Sequence, residues 1–234
     1  MELETCTALV TGANRGLGRA FALELLQRGA KVYAGVRNPS DLDVYGVTPV
    51  TLDITDPDAV ANAARAAGEV TLLVNNAGSA YVGDVLTGDL DLLQRDLQTN
   101  YFGTLNMIRA FAPVIEGNGG GAILNVLSML SWVSWPFIGG YGVSKAAAWA
   151  MTNAVRLDLA PKKIGVTALH VGSMDTDMTA GYDIPKTDPA DVAKIALDGI
   201  ADGLPEVIAD DATREVMSQL SGGVPALYPN LFPA

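Results

Sequence analysis

The sequence predicts an α/β protein, a doubly wound parallel sheet of about seven strands with helices on both faces. Three observations carry this. Short, apolar, β-branched runs alternate with helical segments from end to end, as strands covered on both faces require. The first run leads straight into a glycine-rich turn and an apolar helix. All strand-to-strand links but one are long enough to hold a crossover helix, which parallel pairing needs.

In chain order, residues 5–10 are the first strand and 16–28 the helix opened by the glycine turn. Strand 30–36 follows, and the link 38–48 is the one too short for a full helix. Strand 50–54 precedes helix 57–67, and strand 70–75 precedes a long helix, 90–115. Strand 122–127 ends in an aromatic loop. Helix 141–160 holds Ala146, Ala147, Ala148 and Ala150, which favour helix and permit close packing. Strand 165–170, helix 189–202, strand 206–209 and helix 213–220 complete the pattern. There are no repeats and no second domain: residues 1–234 form one unit, with the Gly- and Pro-rich tail 221–234 expected to pack on the body or on a partner subunit.

Composition narrows the function classes. The 234 residues are 49% hydrophobic, enough for one large core, and the net charge of -11 argues against nucleic acid, whose phosphates call for a basic face. A single cysteine, Cys6, excludes an internal disulfide and reads as core. No signal peptide is visible, so a cytoplasmic setting is expected. Residues 117–144 carry no charged side chain, but Asn118, Asn125, Pro136 and repeated glycines read as a buried strand and a site loop, so no membrane association is expected. One histidine and one cysteine give no zinc cluster, and no metal is expected. The acidic residues Asp175, Asp177, Asp183 and Asp188 read as a solvated lid.

Chemistry concentrates around the uncharged stretch. Tyr141 and Lys145 are four apart, so a helix places them on one face, and Ser128 ends the preceding strand. A phenol has a free pKa of about 10, and a nearby ammonium is expected to lower it. Together the three could protonate a carbonyl oxygen while hydride arrives from elsewhere. Tyr-x-x-x-Lys alone is a weak signal; a half-buried tyrosine beside a snorkelling lysine gives the same pattern.

The turn Thr11-Gly12-Ala13-Asn14-Arg15-Gly16-Leu17-Gly18 supplies the context. Gly12 permits a tight turn, Gly16 lets backbone approach a pyrophosphate, and Gly18 lets helix and strand pack closely, the pattern of a Rossmann-type dinucleotide site. The helix N-terminus adds free N–H groups and partial positive charge.

With this turn, Asn75-Asn76-Ala77-Gly78 after the fourth strand, Asn100 in its helix, and Ser128 thirteen residues before Tyr141, the chain resembles the short-chain dehydrogenase/reductase family over nearly its whole length, and within it the NADPH-dependent carbonyl reductase type. The resemblance implies a nicotinamide cofactor and hydride exchange with a carbonyl carbon. It makes Tyr141 the general acid/base, Lys145 its partner and a ribose contact, Ser128 the polarising hydroxyl, and Asn100 the holder of a relay water, although Asn100 also reads as a helix-kink or packing amide. It assigns the cofactor to Gly12, Asn14, Arg15, Gly16, Leu17, Gly18, Arg37, Asp53, Ile54, Asn76, Ala77, Gly78, Tyr141, Lys145, Gly172, Met174 and Thr176. Val171 stands where the family usually has proline.

NAD-preferring relatives usually carry an acid where this chain has Val36, and here Arg37 follows. A guanidinium binds a 2′-phosphate bidentately where a carboxylate would repel it. Arg15 resembles the basic residue seen in the turn of NADPH-dependent members, so NADP(H) is the expected cofactor, though either arginine could be a solvated charge. Asp53 resembles the adenine contact and also reads as a turn or capping aspartate. His170 reads as a packed residue.

Loops beyond the strand C-termini carry Tyr81, Trp132, Trp135, Phe137 and Tyr182, which with Ser128 and Tyr141 suggest an apolar ketone or aldehyde as substrate; the same aromatics could pack a loop or a subunit interface. A homodimer or homotetramer is implied by resemblance. The alternatives are an NAD-dependent alcohol dehydrogenase and a dinucleotide-binding sensor without turnover.

Overall fold

The computed structural model describes residues 1–231. Seven strands form one sheet: β1 Thr7–Thr11, β2 Lys31–Val36, β3 Thr48–Thr51, β4 Leu72–Asn75, β5 Gly121–Val126, β6 Ile164–His170 and β7 Glu206–Ile208. Their order is β3-β2-β1-β4-β5-β6-β7, and all six pairings are parallel. The order reverses between β1 and β4, the switch point where such sheets bind ligands.

Alternation along the strands builds two cores. Ala8 and Val10 of β1, Leu72 and Val74 of β4, and Leu124 of β5 face one layer with α1 (Gly16–Gln27) and α6 (Pro189–Ala201). Leu9, Leu73 and Ile123 face the other with α2 (Pro57–Ala66), α4 (Thr104–Gly117) and α5 (Gly139–Leu159). The doubly covered sheet explains why the strands read as continuous apolar runs. The remaining helices are α3 (Leu90–Leu97), α7 (Asp211–Gln219) and α8 (Gly223–Leu227).

Three expectations shift. The third strand lies at 48–51 rather than 50–54, because Leu52 and Ile54 are buried against helices after the ladder has ended. The first begins at Thr7, with Cys6 buried just before it. The helix expected at 90–115 runs to Gly117 through Pro113 but is not uniform: Gln98–Gly103 between α3 and α4 is a π-helix, a form that recurs at functional sites. Periodicity in a sequence does not register one inserted residue. The described part of the tail, 221–231, reaches the site loop, and 232–234 lie outside the described residues: the Tyr228 hydroxyl accepts the Ser134 N–H at 2.7 Å, and Leu227 and Tyr228 pack on Met129, Leu130 and Val133.

Candidate active site

The glycine turn sits at the switch point. Gly12 and Gly16 have positive φ (67° and 51°), and a Cβ on Gly18 would stand 2.1 Å from the Gly12 carbonyl oxygen. Asn76 locks the turn to the end of β4. Its Nδ2 donates to Thr11 O at 2.9 Å, and the Thr11 hydroxyl accepts the N–H groups of Asn76 and Ala77, both at 2.9 Å. No side chain caps α1 and no acid lies in its first turn, so its N–H groups are open to an anion. Leu17 is buried in the core and offers only backbone there. Asn14 is part-buried, and Arg15 is exposed, 3.4 Å from Asp177 across the cleft mouth. Arg37 is exposed beyond β2, with no carboxylate at Val36. The donor set fits a dinucleotide bearing a 2′-phosphate.

Asp53 has the turn role that the sequence offered as one reading. Its Oδ1 accepts the Thr55 N–H (2.9 Å) and hydroxyl (2.7 Å), and the Thr55 side chain, with Arg37 beside it, holds the carboxyl below its ordinary pKa. Oδ2 is left for a ligand. Ile54 is buried, its side chain against Gly103 and its carbonyl accepting from Asn106 at 3.2 Å.

Ser128 follows β5 and caps the short 3-10 turn Met129–Ser131, its Oγ accepting the Leu130 N–H at 3.1 Å. Tyr141 and Lys145 sit in the first turns of α5. The buried Lys145 donates to Val126 O at 2.8 Å and lies 5.6 Å from the Tyr141 ring centroid. Gly78 adjoins it: a Cβ there would be 3.0 Å from Asn100 Oδ1 and 3.8 Å from Lys145 Nζ. Ser128, Tyr141 and Lys145 thus converge beside the glycine turn at the C-terminal edge of the sheet.

The electrostatics differ from the sequence expectation. Burial pushes the Tyr141 phenol up to about 12, the Asp96 charge adds to the rise, and the Ser128 side chain acts the other way. Burial also brings Lys145 down to about 8, with Asp96 opposing. Desolvation of the phenolate thus outweighs the ammonium, which donates to a backbone carbonyl, and the phenol stays above its ordinary value.

The side chain of Asn100, in the π-helix, is spent on structure. Oδ1 accepts the Ser79 N–H at 3.0 Å, and Nδ2 donates to Ser79 O and Ser144 Oγ, both at 2.8 Å. Both amide protons are used within the protein, as the packing-amide reading expects. The Trp132 ring stacks on buried His170 at 3.9 Å with Trp149 edge-on at 6.2 Å, so one of its faces is spent on packing. Tyr81 is part-buried, while Trp135, Phe137 and Tyr182 are exposed at the rim. Phe137 has φ 63°, and its carbonyl accepts the Gly83 N–H at 2.7 Å, strapping the two rim loops together.

After β6, Gly172 N–H donates to Asp210 Oδ2 at 2.7 Å, and Thr176 meets the turn, its Cγ2 3.2 Å from a Cβ built on Gly16. Met174 pairs with Thr187 in a β-bridge. Asp96, Ser79, Ser144 and Asp210 went unnoticed in the sequence; only Asp210, placed to cap α7 before Thr213, left a signal there. Among the described residues no group of three His, Cys, Asp or Glu side chains is placed to hold a metal ion, and no helix is long and apolar enough to cross a membrane.

Comparison with known proteins agrees with this geometry. The chain resembles a short chain dehydrogenase from Burkholderia cenocepacia, solved in complex with NADP, at 41% identity over 100% of both chains with a TM-score of 0.95. It is 32% identical to D-erythrulose reductase of Gallus gallus, covering 92% of this chain and 87% of the relative. It is 33% identical to carbonyl reductase [NADPH] 2 of Sus scrofa, covering 73% and 72%. Against the NADPH-dependent 1-acyldihydroxyacetone phosphate reductase of Schizosaccharomyces pombe, 32% identical over 72% of this chain, it spans 60% of the relative's length. Residues 6–186 match the short chain dehydrogenase family, and with the sheet order, glycine turn and Ser-Tyr-Lys cluster in place the protein belongs to that family of oxidoreductases.

Proposed function

We propose that the protein is an NADP(H)-dependent reductase of small-to-medium apolar ketones or aldehydes, or runs the matching alcohol oxidation. The convergence of Ser128, Tyr141 and Lys145 beside Gly78 and the glycine turn carries this reading. The relatives named carbonyl reductase [NADPH] 2 and D-erythrulose reductase support it. Arg15 and Arg37 would hold the 2′-phosphate, and the open N-terminus of α1 the pyrophosphate. Lys145 and Gly78 would meet the ribose, and Gly172 and Thr176 the carboxamide.

The bound nicotinamide supplies hydride to the carbonyl carbon. The residues of the chain manage the oxygen. Leu130 N–H occupies an acceptor lone pair of Ser128 Oγ, so the hydroxyl proton is free to donate to the carbonyl oxygen. Tyr141 gives its phenolic proton to that oxygen, leaving a tyrosinate that the Lys145 ammonium stabilises and solvent reprotonates. Asn100 fixes the helix under this proton transfer. The exposed Trp135, Phe137 and Tyr182 form an apolar rim for the substrate. Subunit pairing through α4 and α5 and a cytoplasmic setting complete the proposal, with Val143 and Leu157 exposed on α5 and Cys6 a free thiol.

The test is the rate of NADPH and NADH oxidation with a panel of apolar ketones and aldehydes, repeated with Tyr141→Phe. Turnover preferring NADPH, lost in the variant while NADPH still binds, is the expected result. Substantial turnover by Tyr141→Phe would rule out the acid/base assignment.

A further inference from the structure

One fully buried carboxylate lies outside the expected site but next to it. Asp96 is on the last turn of α3 and has 0% exposure. Its Oδ1 accepts the Ser79 hydroxyl at 2.8 Å and its Oδ2 the Tyr81 N–H at 3.1 Å. A buried carboxylate is costly unless something on the other side compensates it. Helix α3 crosses α5 at close range, for a Cβ on Gly140 would stand 2.2 Å from Leu93 Cδ2. Asp96 is three residues after Leu93, on the same helix face. It therefore points toward Tyr141 and Lys145.

A continuous set of hydrogen bonds joins it to the backbone of Tyr141. Ser79 donates its hydroxyl to Asp96 and its N–H to Asn100 Oδ1. Asn100 donates to Ser144 Oγ, and Ser144 donates to Tyr141 O at 2.7 Å. We propose that Asp96 is a positioning residue of this site: its carboxylate, fixed by Ser79 and Tyr81, supplies the negative charge that keeps buried Lys145 an ammonium while Tyr141 gives up its proton. This rests on the reductase reading above.

The charged and titratable groups around Lys145 are few. Tyr141 shares its helix, Asp96 faces it from α3, and His170 faces it from β6. His170 is held neutral by burial, so Asp96 is the negative charge among them. Burial alone drives Lys145 down, and Asp96 is what opposes it. In reduction the competent form carries both the phenol and the ammonium. Lys145, brought down by burial while Tyr141 is pushed up, is expected to titrate first and to set the alkaline limb.

The experiment compares the wild-type protein with Asp96→Asn. The asparagine can accept from Tyr81 N–H and donate to the Ser79 hydroxyl, so it retains both bonds and loses only the charge. Two readouts are taken: the pH profile of kcat/KM for NADPH-driven reduction, and an NMR titration of the Lys145 ε-carbon in lysine-labelled protein, its signal assigned by its loss in Lys145→Arg. The expected result is a fall of about one pH unit in both midpoints. Ser79→Ala, which removes a hydrogen bond and leaves the carboxylate, is expected to keep the Lys145 midpoint. An unmoved midpoint in Asp96→Asn, or an equal shift in Ser79→Ala, overturns the proposal. Asp96→Ser is a second neutral variant, and failure of both to fold would make the carboxylate a folding element and also overturn it. The NMR midpoint reads Lys145 without turnover, so absence of activity in the wild type would count against the reductase reading alone.

Discussion

The carboxylate of Asp210 holds the loop after β6: Oδ2 accepts the Gly172 N–H at 2.7 Å while Oδ1 accepts the Thr213 N–H at 2.8 Å. One side chain thus starts α7 and fixes the loop that carries Thr176. The tie stiffens a loop that enters through Val171 and Gly172. Asp210→Ala loses a cap and a charge-assisted bond, which costs about 1–2 kcal/mol. Urea denaturation should show that loss, with KM for NADPH raised several-fold and kcat changed less. An unchanged denaturation midpoint would refute the tie.

Gly18 tolerates no side chain. Its added Cβ would meet Gly12 O at 2.1 Å and Asn76 Nδ2 at 2.4 Å, and the first of these is backbone that cannot swing away. Gly18→Ala should weaken NADPH binding at least tenfold, read by quenching of tryptophan fluorescence. Gly117, helical and with no atom within 4 Å of the place a Cβ would take, gives the contrast. Gly117→Ala should stabilise the protein by about 0.5–1 kcal/mol and leave binding alone.

Cofactor choice should reverse at Arg37. Arg37→Glu puts a carboxylate where a 2′-phosphate would lie and adds a partner for a ribose hydroxyl. KM for NADPH should rise about tenfold or more while that for NADH holds or falls. Parallel losses for both cofactors would mean that Arg37 supports the fold rather than reading the phosphate.

His170 is neutral in the folded protein, since burial pushes it down to about 4. The unfolded chain has an ordinary imidazole near 6.5 and takes up a proton first as pH falls. Stability is therefore fully present above about pH 6.5 and is lost as pH drops toward 4, by on the order of 3 kcal/mol. Denaturation series at pH 7, 6 and 5 should show the decline, and His170→Gln should flatten it. A decline of equal slope in the variant would assign the acid sensitivity to other groups.

The parallel sheet class, the glycine turn and the Ser128–Tyr141–Lys145 set were legible because each rests on local spacing. Gly18 and Gly12 are close in sequence, and Tyr141 and Lys145 are one helical turn apart. What escaped depends on contacts between distant segments. Asp96 reads as one more polar residue on a helix, and its partners lie fifteen and seventeen residues away in a loop. Trp132 looked like a pocket wall because it shares a loop with Trp135 and Phe137. Only the fold shows His170 stacked beneath it. Asn100 was placed correctly in its helix, but the π-helix that turns its amide toward Ser79 and Ser144 has no periodic signature.

The segment after Gly172 is closed at its neck, where Asp175 N–H donates to Thr187 O at 3.0 Å and Thr187 N–H donates to Ser173 O at 2.9 Å. Outside Thr176 and Asp177, its residues make little contact with the phosphate turn, and Tyr182 and Ile184 are exposed. Such a loop behaves as a cassette. Residues 180–186 are expected to accept other sequences with strand register and the phosphate turn kept, while Thr179 stays to hold Met174 and Thr176.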